Sequence, residues 1–224
     1  YGFISDFILQ NFFKDLEVYY IEDCEDEFDI TCKARDLIRK RISQVLRKYE
    51  DYEIMIISHS MGSIITFDVL TFLIPELKIN TLITIGSPLG LPLVVSKIAS
   101  EHKKRQNGQK YMATPPGIVK SWFNLADIRD EVALNYKLND DFTSNEMGIA
   151  PIDFLVDNNY VTGEKSNPHK SFGYLRTPEM SKILGEFMIY ERKNLVEKAI
   201  DKLGGFLGKI KEQGELVKDR LNIN

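Results

Sequence analysis

Two hydrophobic rhythms alternate along this chain. Phe3, Phe7, Ile8, Phe12, Phe13 and Leu16 recur at three- and four-residue steps, which predicts an amphipathic helix with an aromatic face turned inward. A cluster of Glu22, Asp23, Glu25, Asp26, Glu27 and Asp29 follows. Its oxygens do not alternate around a glycine as in a calcium loop, so it reads as a solvated turn. From Thr31 to Tyr49 the helical period returns in Ala34, Leu37, Ile38, Ile42, Val45, Leu46 and Tyr49. Arg35, Arg39, Lys40, Arg41, Arg47 and Lys48 fall on the other face, read as solvated, with Asp29 or Thr31 as candidate cap.

The rhythm then changes. Tyr52-Glu53-Ile54-Met55-Ile56-Ile57 is a short apolar run that stops at Ser58-His59-Ser60-Met61-Gly62. Helical spacing resumes at once with Ile64, Ile65, Val69, Leu70 and Leu73, up to Pro75. A strand, a sharp turn and a helix without a linker leave this pattern. Further strands are expected at Thr81–Ile85, Ile118–Asn124 and Ile152–Val156, with a helix from about Pro92 towards Ser100 and another opened by Thr177-Pro178. Glu101 to Lys110 reads as a hydrophilic connector. Strands alternating with helices imply an α/β fold, a mostly parallel sheet flanked by helices, with its site at the carboxyl ends of the strands.

Composition narrows the function classes. The 224 residues suit one main core, and 43% hydrophobic with 28% charged residues describes an ordinary globular protein. A net charge of -4 argues against nucleic acid as a partner. No apolar run approaches the roughly 20 residues needed to span a bilayer. The two cysteines, Cys24 and Cys32, lack metal-ligand spacing and read as reduced thiols in a cytoplasmic protein. Neither a P-loop nor a G-x-G-x-x-G pattern occurs, which removes nucleotide-binding readings.

Ser60 sits where a tight strand–helix turn exposes a nucleophile, with the small residues Ser58 and Gly62 two positions away on either side. Glycine is usual at the first of these positions; here it is serine. A serine hydroxyl needs a base, and the chain has three histidines. His59 adjoins Ser60 in the turn and should point away from it, and His102 falls in the connector. His169, after the last strand, is left as the candidate base. The acid that orients it comes from the loop Leu125–Ala133, with Asp130 preferred because Val132 and Ala133 can anchor it, and Asp127 as the alternative. Asp153 and Asp157 are weaker choices, on or beside the last strand.

Four segments carry a resemblance: Ile57–Ser63, Thr84–Gly90, Trp122–Asn124 through Asp130–Ala133, and His169–Tyr174. In this order they resemble the lipase/esterase-like branch of the alpha/beta-hydrolase superfamily over about Phe7–Leu184. The resemblance implies a serine hydrolase acting on carboxylic esters or related acyl compounds, a small-molecule acyl or lipid substrate, and neither metal nor organic cofactor. It makes Ser60, Asp130 and His169 the catalytic residues and the Met61 N–H one oxyanion donor. An acyltransferase would use the same residues. A non-catalytic interaction scaffold on this fold is the reading from another class.

The second oxyanion donor of such enzymes comes from a loop after an earlier strand, and only Gly2 and helical patterns precede the turn here. The expectation is a hydrolase-like domain over 1–193 that lacks its N-terminal strands. The segment from Gly86 to Gly117 is too short for a large cap domain. Over 194–224, Val196, Ala199, Ile200, Leu203, Phe206, Leu207, Ile210, Val217 and Leu221 predict an amphipathic helical tail, suited to packing, self-association or contact with a membrane surface.

Overall fold

The β-branched runs that interrupt the helical rhythm do form strands, and they pair into one parallel sheet. The computed structural model describes residues 3–25, 31–105, 112–189, 196 and 200. Two compact units divide at Glu179 and Met180. The first holds helix α1 (Phe3–Ile21), the hairpin β1 (Asp23–Glu25) and β2 (Thr31–Lys33), and helix α2 (Ala34–Lys48). Strand β3 (Met55–His59), helix α3 (Met61–Asp68), β4 (Ile79–Ile85) and α4 (Pro92–Arg105) come next. After β5 (Met112–Ala113) and β6 (Ile118–Ala126) the chain forms α5 (Leu138–Asp141), β7 (Phe142–Thr143) and β8 (Pro151–Leu155). A two-rung hairpin of β9 (Val161–Thr162) and β10 (Lys165–Ser166) precedes α6 (Ser171–Leu175). In the second unit, 180–189 are helical, as are 196 and 200. The tail expected over 194–224 otherwise lies outside the described residues.

The sheet order is β3-β4-β6-β8, all parallel. Register aligns His59 with Ile85, Ile85 with Leu125 and Leu125 with Phe154, so the four carboxyl ends finish on one line. All seven residues of β4 are buried, as expected of a strand covered on both faces. Phe67 of α3, Trp122 of β6 and Phe142 of β7 pack ring against ring beneath it, and the Trp122 indole N–H donates to Thr84. The helices on the sheet and the buried aromatic cluster establish an α/β fold with a central parallel sheet.

Several local expectations need correction. Thr31 does not cap α2: it pairs in β2, and the helix starts at Ala34 behind Lys33, with no side-chain cap. Asp29 lies outside the described residues. The expected solvated acidic turn begins as a strand, in which Asp23 and Glu25 are still exposed. Phe13 is half exposed, one helical step off the buried stripe of Phe12, Leu16 and Tyr19. The basic face of α2 is not all solvated. Arg39 is buried and Arg35 reaches inward to Asp68, while Ile42, Val45 and Tyr49 face outward. The buried Asp68 charge needs a cation, and that requirement overrides the apolar period of the helix. The helix after Ser60 widens into a π-helical turn over Val69–Leu73, and α4 continues past Ser100 to include His102.

Candidate active site

The tight turn after β3 is real and strained. Ser60 has φ 53° and ψ -129°, the only positive φ at a non-glycine position among the described residues. Such a conformation costs about 1–3 kcal/mol and persists only where the surroundings impose it. The Ser60 amide donates to the carbonyl of Ile85, and its carbonyl accepts from the Ser63 amide at 2.9 Å and the Ser63 hydroxyl at 2.6 Å. Buried Ser58 is small enough to let the strand end fold in this way. α3 begins at Met61, so the Met61 amide belongs to the first turn, where backbone N–H groups have no partner within the helix. Together with the helix dipole, it favours negative charge beside Ser60.

Three loops at the same sheet edge meet this serine. His169 Nε2 lies 2.9 Å from Ser60 Oγ, and His169 Nδ1 lies 2.9 Å from both carboxyl oxygens of Asp130. A carboxylate only accepts, so Nδ1 carries the proton and Nε2 is left to accept from the serine hydroxyl. Asp130 is fully buried: Oδ1 also accepts from the Val132 amide at 3.0 Å and Oδ2 from the Tyr174 hydroxyl at 2.7 Å. The result is a continuous relay from carboxylate through imidazole to hydroxyl.

The competing acids are engaged elsewhere. Asp127 accepts from the amides of Arg129 and Asn158 and from the Arg129 guanidinium. Burial alone would raise its carboxyl, but these bonds outweigh it and hold the group below its ordinary value. Asp153 accepts from Asn124 and from the amides of Leu138 and Asn139 at the start of α5. Asp157 pairs with Arg129.

Compared with known proteins, the chain matches no protein-family model, no curated protein and no solved structure.

Four further residues, none given a role at the site from the sequence, shape its geometry. Gly86, with φ 53°, follows β4; a Cβ there would stand 2.8 Å from Asp130 Oδ2 and 3.3 Å from His169 Nδ1. The position therefore demands glycine for both its backbone and its neighbours. Tyr174 is fully buried, and its hydroxyl bridges Asp130 Oδ2 to the Asp127 amide, 2.7 and 3.0 Å away. Burial and the adjacent Asp130 charge raise its pKa far above the ordinary phenol value, so it stays a donor. The buried Asn158 side-chain amide donates to the carbonyls of Pro168 and Lys170, pinning the loop on both sides of His169. His59 Nε2–H donates to the His169 carbonyl at 2.7 Å, and the two rings lie 4.7 Å apart. Burial, then the neighbouring His169, holds the His59 pKa below its ordinary value. His59 thus braces the loop of the other histidine. His102 lies on α4.

Among the described residues no group of three or more His, Cys, Asp or Glu could hold a metal ion, and no helix is long and apolar enough to cross a membrane. No strand of the main sheet precedes β3 among them.

Proposed function

We propose that this chain carries a serine hydrolase site of the lipase/esterase type on an alpha/beta-hydrolase-like fold, acting on carboxylic esters or related acyl compounds. The observation that carries the reading is the unbroken hydrogen-bond relay from Asp130 through His169 to a serine held at positive φ above the end of β3.

The chemistry follows from the proton positions. As Ser60 Oγ bonds to the acyl carbon, its proton passes to His169 Nε2, and the carbonyl electron pair moves onto oxygen. The Met61 amide faces the resulting oxyanion. Asp130 stabilises the imidazolium and, with its remaining acceptor sites tied to Val132 and Tyr174, keeps the ring aligned. His169 then returns the proton to the leaving oxygen as the carbon–oxygen bond breaks, which leaves an acyl-Ser60 ester. Water, deprotonated by the same imidazole, releases the acid and restores the serine. In an acyltransferase an alcohol or amine would replace that water.

The test is labelling by a fluorophosphonate probe alongside hydrolysis of a p-nitrophenyl ester series. The wild-type chain should take one label and turn over at least one ester, and Ser60→Ala should lose both. A folded wild-type chain that reacts with neither would refute the proposal and favour a non-catalytic scaffold.

A further inference from the structure

The hairpin between α1 and α2 brings the only two cysteines of the chain together. Cys24 and Cys32 are direct partners across the antiparallel β1–β2 ladder, and their Sγ atoms lie 3.4 Å apart as thiols. Opposed residues in such a ladder have Cα atoms about 4.5–5.5 Å apart, inside the roughly 4.4–6.8 Å that a disulfide spans. The register does not rest on the cysteines alone. Asp23 and Lys33 are partners one rung away and form an ion pair at 2.6 Å. The Ala34 amide donates to the Glu22 carbonyl and closes the ladder against both helices. Each cysteine is only partly buried, so a small oxidant can reach it.

We propose that Cys24 and Cys32 form a reversible intramolecular disulfide that clamps the end of α1 to the start of α2. The step is thiol–disulfide exchange with a low-molecular-weight disulfide. One protein thiolate attacks that disulfide, bonds to one of its sulfurs and expels the other as a thiolate. The second cysteine, deprotonated, attacks the protein-bound sulfur, forms the Cys24–Cys32 bond and expels the second small thiolate. Two electrons pass from the protein sulfurs to the small molecule, and the two thiol protons end on its products or in solvent.

The clamp has a defined place in the architecture. Two residues before β1 begins, α1 ends in the turn carrying Tyr19, and α2 presents Arg35 two residues after β2. Both side chains hydrogen-bond Asp68, at the end of α3, the helix that starts directly after Ser60. A bond at Cys24–Cys32 therefore fixes the spacing of two helices that grip the helix behind the serine. The proposal stands whether or not that serine is catalytic.

The experiment equilibrates the full chain in buffers of graded oxidised-to-reduced glutathione ratio, quenches with iodoacetamide and reads intact mass. Oxidising buffers should give a monomer lighter than the reduced chain by about 2 Da and carrying no alkyl group, and reducing buffers a doubly alkylated one. Cys32→Ser should stop at a glutathione adduct on Cys24. The oxidised wild type should melt roughly 5–10 °C above the reduced form, and Cys24→Ser/Cys32→Ser should melt at one temperature in both buffers. Double alkylation at every ratio, disulfide-linked dimers, stable glutathione adducts on the wild type, or equal melting temperatures for its two forms would each overturn the proposal.

Discussion

Ser60 shows most directly how a single residue here departs from what is locally stable. Its positive φ is forced by the junction of β3 and α3, and the Cβ of any L-residue makes that conformation costly. Ser60→Gly should therefore stabilise the chain, by about 1 kcal/mol in denaturant unfolding, while ending all reaction with a fluorophosphonate. An unchanged or lower midpoint would show that the strain is relieved by other contacts. Tyr174 makes the opposite case, since its hydroxyl serves two partners at once. Tyr174→Phe leaves the Asp127 amide buried without an acceptor and removes one donor from Asp130. Stability should fall by about 1–3 kcal/mol. Under the proposed chemistry kcat should drop roughly tenfold with KM little changed, because the lost contact positions the acid and does not touch substrate.

At the scale of elements, the site is three loops held at one sheet edge, and the loops are tied to one another more than to the strands. Asp127 in the loop after β6 takes the Asn158 amide from the loop after β8. Asn158 then holds the carbonyls on either side of His169. Gly173 completes the arrangement, since a Cβ there would overlap the Asn158 carboxamide. Asn158→Ala should loosen the His169 loop without disturbing the sheet. Hydrogen exchange should quicken in a peptide over 160–175 and stay unchanged over β4. Probe labelling of Ser60 should slow in parallel. Faster exchange in β4 would mean that Asn158 supports the whole unit and not this loop.

At the largest scale, helices α1, α2 and α3 of the first unit are organised around a buried charge. Asp68 is fully buried and accepts from Tyr19 at 2.6 Å and from Arg35 at 2.9 and 2.6 Å, so one carboxylate joins α1, α2 and α3. Burial raises the Asp68 pKa above its ordinary value, and Arg35 works against that rise. A carboxyl whose folded pKa is raised binds its proton more tightly when folded. Its contribution to stability is therefore full at low pH and is lost as pH rises through the folded pKa. Arg35→Met removes the opposing cation and leaves the charge uncompensated. At pH 7 the variant should lose about 3–5 kcal/mol, and the loss should shrink as the pH falls and Asp68 takes up a proton. Denaturant unfolding at a series of pH values gives the answer directly. A loss that stays constant between pH 7 and pH 4 would show that Arg35 acts through packing alone.

The sequence by itself determined what depends on neighbours along the chain. The four main strands, the abrupt turn at Ser60 and the helix that follows it at once are written in local periodicity and small residues, because backbone sterics and hydrophobic period act within a few positions. The choice of His169 also came from the sequence, through the position of His59 and the setting of His102. Tertiary structure alone decided what depends on distant partners. It turned Asp130, the acid the sequence preferred, to the imidazole and occupied the alternative Asp127 with Arg129 and Asn158, where the loop sequence offered both acids. It placed Gly86, Tyr174, Asn158 and His59 around the relay, set Cys24 against Cys32, and drew Arg35 and Arg39 inward against the apolar period of α2. Those outcomes follow from the cost of burying polar groups without partners, which is settled only when segments far apart in the chain meet.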